Sequence, residues 1–166
     1  DILPELEGVD FTTGPQKAFM SLSFRPRNFK SLELKPDVVI KEKDQDFTLG
    51  KQLYYKLSPD ESFPSDTTEE GKMMLAVVAT EFKVNYDKTM FQECSGTASR
   101  LKQGIPNARY YAFVEFLDME AEDSRLTDID NVFLIRHAKR LPYGQRNNPE
   151  IVREYRKKHP IDDEVI

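Results

Sequence analysis

Glu81 and Lys83 stand at the end of the most apolar run in the chain, Met73-Met74-Leu75-Ala76-Val77-Val78-Ala79. The run reads as a buried central strand. Strand alternation then sets Glu81 and Lys83 on one face and Phe82 on the other. A carboxylate and an ammonium two residues apart on a strand can hold a hard cation and position a water. Such a site needs a second acid beside Glu81, and Asp37, Asp46 and Asp60 are the candidates.

The surrounding elements decide between them. Lys17 to Phe24 alternates and reads as a strand, broken by Arg25-Pro26-Arg27-Asn28. A second extended segment runs from about Leu32 to Lys41, and the polar stretch Lys41 to Gln45 reads as a tight turn. Asp46 to Leu57 alternates, with Phe47, Leu49, Leu53, Tyr55 and Leu57 on one face. Ser58 to Thr68 is a loop, and Glu69 to Val84 carries the apolar strand. A helix follows, capped by Asp87, with Met90, Cys94, Ala98 and Leu101 as its apolar stripe and Gly104 and Pro106 as its stop. Ala108 to Leu117 and Val132 to Arg136 are further strands, separated by the acidic loop Asp118 to Asp130. The pattern is an α/β arrangement that opens on an antiparallel meander. Pro4 and Gly8 make any helix in Asp1 to Val9 short or irregular.

Asp37 follows a proline. Geometry favours Asp46. If Asp46–Leu57 and Glu70–Glu81 form a hairpin, an index sum of 127 pairs Asp46 with Glu81 and closes inside the Ser58–Thr68 loop. The two side chains then lie about 5 Å apart at Cβ. Like charges directly opposite destabilise a sheet unless a cation lies between them. Two carboxylates, the Phe82 backbone carbonyl and waters would form the oxygen-rich shell that Mg²⁺ prefers.

Composition sets bounds on this reading. A length of 166 residues suits one domain with one core. The single cysteine, Cys94, permits no internal disulfide, sits on the apolar helix stripe and fits a reducing cytoplasm. No apolar run approaches the roughly 20 residues that span a bilayer, and no secretory signal is visible. The chain opens at Asp1 rather than Met, as expected if residues precede it. Net charge is −5 but uneven. From Leu134 to Pro160 eight Lys and Arg face two Glu, a local +6 that leaves −11 for the rest. Such asymmetry suits a phosphate-contacting patch, with a solvated C-terminal helix over Pro149 to His159 as the plainer alternative. Within it Arg136, Lys139, Arg140 and Arg146 are candidate DNA contacts. His137 and His159 lack zinc-like spacing, and Asp128 is expected to brace the turn into the last strand.

Glu81-Phe82-Lys83 is the E-x-K half of the metal-dependent nuclease signature PD-(D/E)xK. Further blocks carry a wider resemblance. Lys43-Asp44-Gln45-Asp46-Phe47, Ala76 to Lys83, Cys94-Ser95-Gly96-Thr97-Ala98-Ser99-Arg100-Leu101-Lys102, and Thr127-Asp128-Ile129-Asp130 before Val132-Phe133-Leu134-Ile135-Arg136-His137 resemble type II restriction endonuclease subunits of the BbvCI kind. Ser21-Leu22-Ser23-Phe24 and Pro160-Ile161-Asp162 resemble the B-type subunit of that family. The likeness runs from about Lys17 to the end.

The resemblance implies a PD-(D/E)xK restriction-endonuclease-like fold, a mixed sheet with an antiparallel meander flanked by helices. It implies a single nuclease catalytic domain over residues 1–166, without the N-terminal helices of longer relatives. Asp46, Glu81 and Lys83 would be catalytic, and Asp37 the lower-ranked acid. Double-stranded DNA would be the substrate, Mg²⁺ the cofactor, and a related second subunit or a second copy the partner. One strand would be cut per subunit, in the cytoplasm and away from membranes. On the helix after the E-x-K strand, Lys88 and Gln92 are candidates to brace the metal ligands or touch phosphate. Two alternatives remain in view: a DNA-binding or assembly subunit with a vestigial site, and a repair nuclease of the same fold.

Overall fold

The computed structural model describes residue 8, residues 10–120 and residues 123–162. Five strands form a mixed sheet in the order β1-β2-β3-β4-β5: β1 Thr12–Phe24, β2 Val38–Leu57, β3 Glu69–Tyr86, β4 Arg109–Leu117 and β5 Asn131–Leu134. Helix α1, Lys88–Gly104, lies between β3 and β4 in sequence, and α2 (Tyr143–Arg146) and α3 (Pro149–Lys158) follow β5. The chain divides into two compact units, residues 1–79 with 100–108 and residues 80–99 with 109–166. The expected N-terminal helix falls, apart from Gly8, outside the described residues.

In the first unit β1 and β2 form an antiparallel hairpin from Thr12↔Gly50 to Phe24↔Val38. Its core gathers Ala18, Met20, Met74, Ala76, Ala79 and Leu101, all buried. A Cβ on Gly50 would sit 2.1 Å from the Leu75 carbonyl oxygen, so only glycine lets β2 pass so close to β3. Near the β2–β3 loop, Lys56 pairs with Glu70 at 3.1 Å.

Two expectations change here. Lys41 to Gln45 is not a turn: it pairs residue by residue with Ser21 to Gln16 of β1, and β2 runs unbroken for 20 residues. Its charges are exposed or half-buried on the two faces of a strand, which composition alone does not distinguish from a turn. The inward side chains of β2 are Gln45 and Thr48, while Phe47 and Leu53 are exposed. β1 carries register shifts between Gly14 and Gln16 and between Phe19 and Ser21, and irregularities of that kind defeat simple alternation.

In the second unit the alternation of β4 is complete: Tyr110, Ala112, Val114 and Phe116 are buried. The first turns of α1 contribute Phe91, Cys94 and Ala98 to the same core. Asp87 caps α1 as expected, its Oδ1 accepting the Met90 N–H at 3.0 Å. On the other face Phe82 stacks on Phe113 (5.4 Å) and Phe113 on Phe133 (4.7 Å). Such pairs contribute about 1 kcal/mol each beyond area burial. β5 lies parallel to β4, Tyr111↔Asn131 through Val114↔Leu134. The brace before β5 is Asp130 rather than Asp128. Asp130 accepts the Tyr110 N–H at 2.7 Å and pairs with Arg109 at 2.8 Å.

Candidate active site

Strand alternation places Glu81 and Lys83 as read. Glu81 is 4% exposed, Phe82 between them is 53% exposed on the opposite face, and Tyr86 is buried beyond. Lys83 Nζ lies 2.9 Å from Glu81 Oε2. Burial alone would lower the Lys83 pKa. The hydrogen bond and charge of Glu81, with Glu93 adding to them, outweigh it and hold the ammonium above its ordinary range.

Cys94 approaches the same carboxylate oxygen, its Sγ 3.8 Å from Glu81 Oε2. Burial first, and then the Glu81 charge, push the Cys94 thiol up. Burial and the same neighbours push up the Tyr86 and Tyr110 hydroxyls. Two buried tyrosine hydroxyls and a thiol thus stay protonated around Glu81. Of these three groups only the thiol is within hydrogen-bond distance of Glu81; both hydroxyls are buried without a hydrogen-bond partner among the described residues. The sequence signals this set only as buried positions on a strand and a helix; its polarity shows once the elements are assembled.

The remaining predicted residues divide by setting. Asp46 is exposed on β2, next to the buried Gln45. Gln45 was missed in the sequence: its Nε2 donates to the Asp44 carbonyl at 3.0 Å, and its buried Oε1 has no hydrogen-bond partner among the described residues. Asp37 is exposed at the entry to β2 with φ +54, a left-handed backbone that Asp tolerates better than most residues, and its carbonyl accepts the Arg25 N–H at 2.9 Å. Lys88 and Gln92 are exposed on α1. Among the described residues no group of three or more His, Cys, Asp or Glu gathers as a metal cage. The oxygen donors on offer, a buried carboxylate and a strand carbonyl beside it, are of the hard type that suits Mg²⁺ rather than a soft metal.

Four of the eight cations after β5 are engaged within the unit, Arg136, Arg146, Arg156 and Lys157. Arg136 Nε donates to Glu115 Oε1 at 3.0 Å, and Arg156 grips the same carboxylate through two bonds of 2.7 Å. Arg146 donates to the Leu141 carbonyl. Lys139 is exposed, its carbonyl bonded to the Tyr155 hydroxyl at 2.7 Å. Arg140, Arg146 and Arg156 rim a cavity of about 150 Å³ floored by Val84, Phe116, Leu141 and Val152. His137 pairs with Asp162 at 2.7 Å.

No curated protein sequence matches this chain. Among solved structures, a chain of the native BbvCI A2B2 tetramer, determined at low resolution, is similar with a TM-score of 0.63 and 21% identity. The match covers 88% of this chain and 56% of that one, so this chain spans little more than half the length of the solved relative. The likeness shows the fold: a mixed five-stranded sheet with flanking helices, in keeping with the PD-(D/E)xK class. The profile of the Bpu10I restriction endonuclease family matches residues 1–164, and the chain belongs to that family.

Proposed function

We propose that residues 1–166 form one catalytic domain of a type II restriction endonuclease. It hydrolyses DNA phosphodiester bonds with Mg²⁺, one strand per subunit, and a related second subunit or a second copy cuts the other strand. A cytoplasmic location accords with that role. No helix among the described residues is long and apolar enough to cross a membrane.

The observation that carries the proposal is the buried Glu81 carboxylate held 2.9 Å from Lys83 on one face of β3. Glu81, the Phe82 carbonyl and Asp46 would hold the ion. When bound, Mg²⁺ supplies Lewis-acid polarisation of the phosphate. Lys83 has a different task. An ammonium held above its ordinary pKa stays protonated at neutral pH. It would donate to the attacking water and offset charge on the phosphate. The Cys94 thiol, 3.8 Å from Glu81 Oε2, would help to fix the carboxylate.

The test is cleavage of plasmid DNA with Mg²⁺ and with EDTA, with nicks mapped in the presence and absence of a candidate partner subunit. Metal-dependent cuts at fixed positions are expected. A protein that neither nicks nor cuts DNA with Mg²⁺, alone or with its partner, would return the chain to the assembly-subunit alternative.

A further inference from the structure

The connection between β1 and β2 presents an apolar side chain and unpaired cations on a braced loop. Phe24 pairs with Val38 at its base, and the Arg25 N–H donates to the Asp37 carbonyl at 2.9 Å. Within it a short 3-10 turn spans Phe29–Glu33. Asn28 and Ser31 cap that turn reciprocally: Ser31 N–H to Asn28 Oδ1 at 3.1 Å, Asn28 N–H to Ser31 Oγ at 3.2 Å. Ser31 Oγ also donates to the Asn28 carbonyl at 2.7 Å. The Ser31 carbonyl then accepts the Leu34 and Lys35 N–H groups, both at 3.1 Å. The backbone on both sides of Phe29 is thus fixed by its own hydrogen bonds.

Held this way, Phe29 is 91% exposed and Leu34 is 67% exposed. A scattered apolar residue on a surface means little. Here the ring is at the tip of an ordered turn, and cations surround it. Arg25, Arg27, Lys30 and Lys35 face one acid, Glu33, between Arg25 and Pro36. All four are exposed, and among the described residues none of their side chains has an ion pair or hydrogen bond. Asp37, Asp66 and Glu69 line a concavity at the base with Arg27 and Lys35, yet none comes within ion-pair distance of them. The four cations are thus exposed to solvent in a chain whose net charge is −5.

An aromatic wedge flanked by cations fits one partner well. Apolar side chains inserted between base steps unstack them, while Lys and Arg meet the flanking phosphates and release counterions. A protein partner would need an acidic patch placed around an apolar one, whereas any duplex offers phosphates on both sides of its base steps. We propose that the Arg25–Pro36 loop is a double-stranded DNA contact, with Phe29 entering the groove as a wedge and Arg27, Lys30 and Lys35 on the backbone beside it. This rests on the restriction-endonuclease reading and adds to it a surface separate in sequence from the E-x-K strand and from the basic stretch after β5.

The probe is a short random-sequence duplex, with plasmid cleavage run in parallel. Two variants are compared with the unsubstituted protein: Phe29→Ala, and Arg27→Gln with Lys30→Gln and Lys35→Gln together. The charge variant should flatten the slope of log affinity against log salt by about 2 to 3, the loss of three phosphate contacts. Phe29→Ala should weaken binding roughly tenfold with the slope unchanged, as for loss of a base-stacking aromatic. Neither should move the thermal midpoint, since all four side chains are exposed. Wild-type affinity and slope in both variants, with plasmid still cut, would overturn the loop assignment alone. So would variants that bind DNA normally but change the mass of the assembly in light scattering, which would make the loop a protein interface. If the unsubstituted protein neither binds nor cuts DNA, the restriction reading falls, and the loop assignment with it.

Discussion

Glu81 is 4% exposed, 2.9 Å from an ammonium and beside a buried thiol, whereas Asp46 is exposed on β2. Both are proposed for the same ion, yet the fold invests in them differently. Taking Glu81 out of water is tolerable only while its charge is matched, so its partners belong to the fold as much as to the site. Asp46 carries no such cost. Chemistry and stability should therefore move together at Glu81 and separate at Asp46. A related distinction, between a charge with a partner inside the chain and one without, applies to the cations after β5.

The largest effects are expected at the committed pair. Glu81→Gln and Lys83→Ala should each lower plasmid cleavage by roughly 100-fold or more, a typical loss for a group that stabilises charge in the transition state. Lys83→Ala should also destabilise the fold by about 3 kcal/mol, because it leaves a buried carboxylate uncompensated. Urea unfolding measured beside cleavage tests both. Full activity in either variant would remove the E-x-K pair from the mechanism. Alkaline pH sharpens the point. Lys83 is held above its ordinary 10.5 when folded, so its stabilisation is whole below that value and fades as pH rises through the raised one. Cys94, raised above its ordinary 9.0, acts with the same sign and earlier in the rise. Stability should fall from about pH 9 upward. Cys94→Ala should remove the early part of that fall, while Lys83→Met should reduce but not remove the late part, to which the raised Tyr86 and Tyr110 hydroxyls also contribute.

Asp46→Asn should lower Mg²⁺-dependent cleavage more than Asp37→Asn, while both leave stability within about 0.5 kcal/mol, as surface substitutions do. Asp37 stands at φ +54, where Asn is equally tolerated, so neither variant strains the backbone. An inactive Asp37→Asn with an active Asp46→Asn would return the second acid to the Pro-Asp pair. If both variants stay active, the buried Gln45 beside Asp46 becomes the residue of β2 to substitute next.

Much of this arrangement was legible in the chain. Met73 to Ala79 is too apolar to be anything but a central strand, and two-residue alternation puts Glu81 and Lys83 together without further information. Asp87, Gly104 and Pro106 bound α1 because capping and termination are local chemistry. The errors arose where the deciding partner is distant in sequence. Lys41 to Gln45 is polar enough for a turn and becomes a strand because Gln16 to Ser21 pairs with it. Gln45 and Thr48 face inward although Phe47 and Leu53 are the greasier residues, and β1 is irregular where it pairs with this part of β2. Nothing within Arg136 to Lys158 reveals that Glu115, on β4, binds two of its arginines.

That last point gives the smallest and sharpest test. Counted in the sequence, Arg153, Arg156, Lys157 and Lys158 offer four phosphate contacts. In the structure Arg156 is bound to Glu115 and Lys157 to Glu154 at 2.8 Å. Among the described residues only Arg153 and Lys158 of the four have no ion pair or hydrogen bond from their side chains. If α3 meets DNA, Arg153→Gln with Lys158→Gln should reduce the salt slope of binding by at most about 2 and leave stability unchanged. Adding Arg156→Gln should cost about 1 kcal/mol of stability, a half-exposed pair being partly screened, with no further change in slope. A drop of about 4 on neutralising all four would mean that the paired cations leave their acids for phosphate. Commitment to an internal partner would then no longer predict availability, and α3 rather than the β1–β2 loop would be the main source of DNA affinity.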